Sequence, residues 1–303
     1  MKGGKDNGKD KRNLVRDPAA WEGLHEMDIL SCGAGMQSTA LALMSCDNAR
    51  NGNMYPGVPK YDAVLYCDLK CEPPWVYDQV AFIAKECEAC GIPFYVLESD
   101  LYGHYIQNFG KARVVSIPFW STDETGKKGR MMRNCTIDFK ISIMQKFVKY
   151  NLLGYRPYQR VKPEDRKAHT MHIGFSKEEQ QRIFDNPHPM FNNRFPLIEM
   201  GLERPDNYRY CLEEWGLKTK ASACNMCPFH RNYFFHYLKE HCPESYQQVV
   251  TFDRLLEENQ PQTKIRSKLY LSRSRKRIID LTDAECQDAE TFEYEGNHVW
   301  NGF

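Results

Sequence analysis

Net charge is the first thing this sequence lacks. Its 41 Lys and Arg nearly cancel its 40 Asp and Glu over 303 residues, leaving +1 at pH 7. No global field draws it to nucleic acid or an anionic membrane, so a charged partner must be read from local clusters. Long apolar runs are missing too. None approaches the roughly 20 residues a membrane helix needs, so no membrane is expected. The polar, Gly/Lys-rich residues 1–24 have a charged start with no apolar core behind it. They are expected to form a disordered tail rather than a secretory signal. No internal repeat is visible. The expected location is the cytoplasm, where the 12 cysteines would be thiols rather than disulfides. The 42% hydrophobic and 13% aromatic content is enough for a real core.

The apolar pattern suggests an α/β chain. Strands are expected at 28–32, 61–67, 92–98 and 169–175, and helices at 38–46, 73–91 and 138–150. Pro73 and Pro74 sit where a helix start tolerates them, and Gly91 suits its C-cap. Strand, helix and strand in this rhythm indicate a parallel sheet with crossover helices. Ser176 opens a capped helical turn. Residues 186–196 read as a loop. Residues 204–258 read as helical, interrupted by ASACNMCPF. Residues 261–303 read as a mixed, basic tail. The expected division is therefore a tail at 1–24, an α/β domain at 25–185, a helical cysteine-containing region at 186–260 and a basic segment at 261–303.

The stretch DILSCGAGMQSTALALMSC (28–46) turns from strand to helix through small residues. At the carboxyl end of a parallel strand such a turn exposes backbone N–H groups, and the helix adds its positive end. Together they make an anion cradle. Small residues at 33–35 admit a phosphate, and Ser38 and Thr39 could donate hydroxyls. The pattern is not Gly-x-x-x-x-Gly-Lys-Ser/Thr, and Gly-x-Gly-x-x-Gly fails for want of a third glycine. GGKD at 3–6 imitates the turn in letters, but no strand or helix pattern flanks it.

GAGMQS (33–38) resembles the pyrophosphate loop of the PP-loop ATP pyrophosphatases, Ser-Gly-Gly-x-Asp-Ser. It departs from it at Gly33, Ala34 and Gln37. YCDLKCEPPWVYDQV (66–80), RNCTIDFKI (133–141), HIGFSKEEQQR (172–182) and KASACNMCPFH (220–230) resemble, in order, further signatures of the phosphoadenosine phosphosulfate (PAPS) reductase-like branch. The resemblance implies an adenine nucleotide alpha-hydrolase-like fold with a helical C-terminal part carrying a cysteine cluster. It also implies a nucleotide site at Ser31, Gly33, Ala34, Gly35, Gln37, Ser38, Thr39, Asp68 and Glu72. Ser38, Asp68, Arg133 and Lys140 would be catalytic. ATP and Mg2+ would be the cofactors, although the loop aspartate that commonly helps hold magnesium is Gln37 here.

CNMC (224–227) has the spacing that lets two thiolates reach one metal. CEAC (87–90) has the same letters, but both cysteines lie on the apolar stripe of a helix and read as core. The resemblance supplies Cys135 and Cys211 to complete a set with Cys224 and Cys227, for a [4Fe-4S] cluster or, alternatively, zinc. His230 is a substitute for Cys211. The implied activity is adenylation of a substrate with pyrophosphate release, for sulfur transfer. Two alternatives stand beside it. One is PAPS reduction, for which the tail offers only Cys286. The other is a catalytically weakened nucleotide-binding protein associated with nucleic acid, for which the basic run Arg266–Arg277 is the motive. Lys127, Lys128 and Arg130 read as a surface loop that could close over phosphate. The acceptor and the oligomeric state are left open, with nucleic acid among the candidate acceptors.

Overall fold

The computed structural model describes residues 26–109, 116–262 and 265–286. The expected N-terminal tail lies outside them. In chain order the elements are β1 (Asp28–Cys32), α1 (Met36–Asn51), β2 (Ala63–Asp68), α2 (Pro74–Ala89), β3 (Phe94–Glu98) and α3 (Leu101–Asn108). They continue with β4 (Trp120–Thr122), β5 (Lys128–Arg130), α4 (Ser142–Phe147), β6 (His169–Ile173), β7 (Phe191–Arg194) and α5 (Pro196–Glu199). The last are α6 (Arg204–Trp215), α7 (Asn232–His241), α8 (Pro243–Asn259) and β8 (Lys268–Tyr270).

The fold is α/β. Five strands form a parallel sheet in the order β3-β2-β1-β6-β7. Its central strands β1 and β2 are largely apolar on both faces because helices cover both. Leu30, Cys32, Val64 and Tyr66 point into one core, with α1, α2 and Cys211 of α6. Ile29, Ala63, Leu65 and Cys67 alternate into the other, against Met144 of α4, Val148 and Leu152. Each fully buried aliphatic side chain contributes about 1.5–3 kcal/mol. The helix expected at 138–150 is α4 with a π-helical turn at each end, Ile137–Ile141 and Val148–Leu152.

Residues 186–196, expected as loop, contain β7, the edge strand beside β6. It pairs on one side only and needs just four residues, so its flanking prolines and asparagines hide it. A second, antiparallel sheet has the order β5-β4-β8 and joins residues about 150 apart in sequence. A third core lies beneath it. Phe252 of α8 packs there with Tyr105, Phe109 and Phe119 at centroid distances of 5.4–6.3 Å.

Candidate functional site

The chain leaves β1 to one side of the sheet through α1 and β2, while β6 lies on the other side. Between β1 and β6 the strand order reverses, and a crevice opens at the carboxyl ends. The bend at 33–35 and the turn at 174–176 meet there. A Cβ on Gly174 would stand 2.9 Å from the backbone N of Ser38 and 3.1 Å from the carbonyl carbon of Gln37. Only glycine permits that approach. At Gly35 a Cβ would stand 2.6 Å from Ser222 Oγ, so the segment before Cys224 hangs directly over the bend.

Ala34 takes φ 52°, the left-handed region that favours glycine. Gln79 of α2 holds this bend by donating to the Ala34 carbonyl, and also donates to the Lys220 carbonyl at 3.2 Å. No side chain caps α1, whose N-cap is Gly35. Its first turn therefore presents unsatisfied N–H groups and a positive dipole end.

A cavity of about 230 Å³ opens in front of this turn. Gly35 and Gln37 line it on one side and Arg133 and Lys140 on another, with Cys135, Cys224 and Cys227 completing the wall. Four segments far apart in sequence thus meet in one space. Lys140 is enclosed, and burial works to lower its pKa. Glu72, 3.5 Å away and fully buried, outweighs that together with the thiols of Cys224, Cys67 and Cys135, and the net direction is upward. Burial raises the Glu72 carboxyl despite Lys140, and neither carboxylate oxygen has a hydrogen-bond partner among the described residues.

Burial pushes the Cys227 thiol up to about 12, with Cys224 adding to it. Burial and then Cys224 likewise raise Cys135, while Arg133 and Lys140 pull it back. Binding a metal would require these thiols to release their protons, and the two neighbouring cations favour the thiolate form against burial. Among the described residues no three His, Cys, Asp or Glu side chains converge closely enough to hold a single metal ion.

Other expected site residues sit elsewhere. Gly33 is near the bend, 3.6 Å from Ser222 Oγ if it carried a Cβ. The Ser38 hydroxyl is turned into the loop, accepting from Gly33 N–H at 3.2 Å and donating to the Gly35 carbonyl at 3.3 Å. The Thr39 hydroxyl is buried with no hydrogen-bond partner among the described residues. Ser31 donates to the Met144 sulfur at 3.3 Å, below the bend. Asp68 is clamped by Lys70, through its N–H at 2.9 Å and its Nζ at 2.8 Å. Gln37 donates its amide to Ser176 Oγ at 2.9 Å and to Glu179, which Arg182 and Arg204 also hold.

Cys211 does not join the other three cysteines. It is fully buried on α6, one turn from the equally buried Asn207, in the core against α1. The i, i+4 pairing of Asn207 and Cys211 is the sign of a core face. His230 Nε2–H donates to the Cys224 carbonyl at 2.8 Å and the ring stacks on Phe234, so it braces the loop. Cys87 is core, 4.0 Å from Cys46. Cys286 is 5% exposed.

One residue escaped the sequence reading. Cys71 is buried with its thiol against Cys224, and its carbonyl accepts from Asn225 N–H at 2.7 Å. Its place beside Glu72, in a strand-to-helix turn at the same sheet end, was the available signal.

No protein-family model and no curated relative matches the chain. The solved structures that resemble it include the U34-tRNA thiolase NcsA from Methanococcus maripaludis with its [4Fe-4S] cluster. That chain is 16% identical, with 82% of this chain and 77% of that one covered and a TM-score of 0.34. At that identity and superposition, the chemistry has to be argued from this chain's own residues.

Proposed function

We propose that the chain is an ATP-using enzyme that adenylates an acceptor, releases pyrophosphate and prepares the acceptor for sulfur transfer. The observation that supports this most is the single cavity shared by the open α1 N-terminus, Arg133, Lys140 and three thiols. The phosphate tail lies against the N–H groups of Gly35 to Gln37, with Lys140 and Arg133 offsetting its charge. An acceptor oxygen attacks the alpha-phosphorus, the bond to the bridging oxygen breaks, and pyrophosphate leaves. The amides and the Lys140 ammonium stabilise the charge that develops on the leaving group. Gln37 offers no carboxylate to magnesium, so the phosphates of ATP would hold that ion in its place.

Cys135, Cys224 and Cys227 would hold the metal group. Soft thiolates suit iron–sulfur or zinc. When bound, a [4Fe-4S] cluster would supply soft iron able to hold a sulfur donor beside the activated acceptor. PAPS reduction is less well supported, because its candidate thiol, Cys286, is buried.

Anaerobic purification with iron and zinc analysis, ATP calorimetry and a pyrophosphate-release assay test this reading. Iron should disappear in Cys224→Ser/Cys227→Ser and persist in Cys211→Ser. ATP affinity should fall at least tenfold in Lys140→Ala, the loss of one charged contact. Metal lost with Cys211 alone would overturn the assignment, as would ATP binding unaffected by Lys140→Ala.

A further inference from the structure

The second sheet sorts its side chains by face. Register places Trp120 opposite both Arg130 and Tyr270, and Thr122 opposite both Lys128 and Lys268. Residues directly opposite share a face, and neighbours along a strand alternate. One face therefore carries two cross-strand rows, Arg130–Trp120–Tyr270 and Lys128–Thr122–Lys268. The other carries Ser121, Gly129 and the buried Leu269, which packs on the Phe252 core.

The outer face is organised around Trp120. The guanidinium groups of Arg130, Arg273 and Arg275 lie 5.7, 5.8 and 5.4 Å from its ring centroid. Arg275 is fixed by the Ser121 and Gly129 carbonyls at 3.1 and 3.3 Å, so its charge is held but not neutralised. None of Lys128, Arg130, Lys268, Arg273 and Arg275 forms an ion pair with another described residue. Asp123, in the β4–β5 turn, spends its carboxylate on the Thr125 and Lys127 N–H groups, both at 2.9 Å. Unpaired cations interleaved with aromatics mark a surface for polyanions with planar groups.

The face also leads into the cavity. Trp120 Nε1–H donates to the Pro228 carbonyl at 2.6 Å, and Phe229 lies edge-on to its ring at 6.4 Å. Pro228 and Cys227 line the cavity wall.

We propose that the outer face of β5-β4-β8 binds single-stranded nucleic acid, with phosphates on Lys128, Lys268 and Arg273 and bases against the guanidinium and aromatic planes. The strand then runs past Phe229 towards the cavity. This goes beyond the adenylation reading and stands without it.

The test is fluorescence anisotropy of the full chain with an oligouridylate of about 16 nucleotides, the upper end of one such site. The same-length oligothymidylate and a duplex are the comparisons. Lys128→Glu/Lys268→Glu/Arg273→Glu should weaken binding more than tenfold and flatten the salt dependence by about 2 in log–log slope. ATP binding should be unchanged in this variant. Lys140→Ala should show the opposite, losing ATP and keeping the oligonucleotide. Preference between the two single strands decides RNA or DNA. The proposal is overturned if wild-type protein binds neither single strand, if the triple variant binds as wild type does, or if duplex binds as well as single strand.

Discussion

Gln37→Glu is the sharpest test of what an acidic residue would do at this place in the bend. The Gln37 amide donates to Glu179, whose side chain is 8% exposed and which Arg204 reaches at 3.0 Å. The substitution keeps the shape but replaces a donor with a second carboxylate. Two like charges about 4 Å apart cost about 4 kcal/mol at an effective dielectric of 20. Arg182 and Arg204 offset about half of that, and the lost hydrogen bond to a charged group adds about 1.5 kcal/mol. The net loss is about 3 kcal/mol at pH 8, read from urea unfolding.

The sign with pH follows. A crowded pair holds a proton in the folded state that the unfolded chain releases near pH 4.5. The variant's stability should therefore rise as pH falls from 8 towards 4.5, by up to about 1.4 kcal/mol per unit. Gln37→Glu/Glu179→Gln restores one donor facing one acceptor and should recover at least half of the loss. A single variant within about 0.5 kcal/mol of wild type, or a double variant no better than the single, would refute the argument.

Gly174→Ala should cost about 1–3 kcal/mol by overpacking against Ser38 and Gln37 backbone, which cannot swing aside. Urea midpoints and ATP calorimetry should both register it. Arg277→Met should cost about 3–5 kcal/mol, because it strands Asp253, 2% exposed and paired at 3.0 Å. Asp253→Asn/Arg277→Met should lose less. Burial lowers the His169 pKa, against Asp165, so the folded chain binds fewer protons than the unfolded one. Stability should then fall as pH drops below about 6.5, and His169→Gln should flatten that dependence in urea titrations.

The main sheet was legible because its signals are local. A strand buried on both faces is a short apolar run, and β1 and β2 follow such runs closely; the edge strand β3 is apolar enough in sequence to show as well. The sheet of three-residue strands was not, because three residues carry no period and β8 finds its partner far along the chain. Gly35, Gln37, Arg133, Lys140 and three cysteines were singled out through motifs, and the structure lines one cavity with them. Cys211 was misplaced because a motif aligns letters without asking which helix face they occupy. Asp68 was expected beside a nucleotide, yet Lys70 two residues on already holds its carboxylate.

The gathering itself has a topological cause. Chain reversal at β1 and β6 leaves a crevice that no helix fills, and every loop at that sheet end can reach it. The bend after β1, the turn after β6 and the turn after β2 arrive there because parallel strands all end on the same side. Asn225 N–H bonded to the Cys71 carbonyl then fastens the cysteine loop to the turn after β2. The open first turn of α1 and the thiols are thus neighbours through strand direction, and a change that loosened the Asn225 anchor would separate them without touching either one.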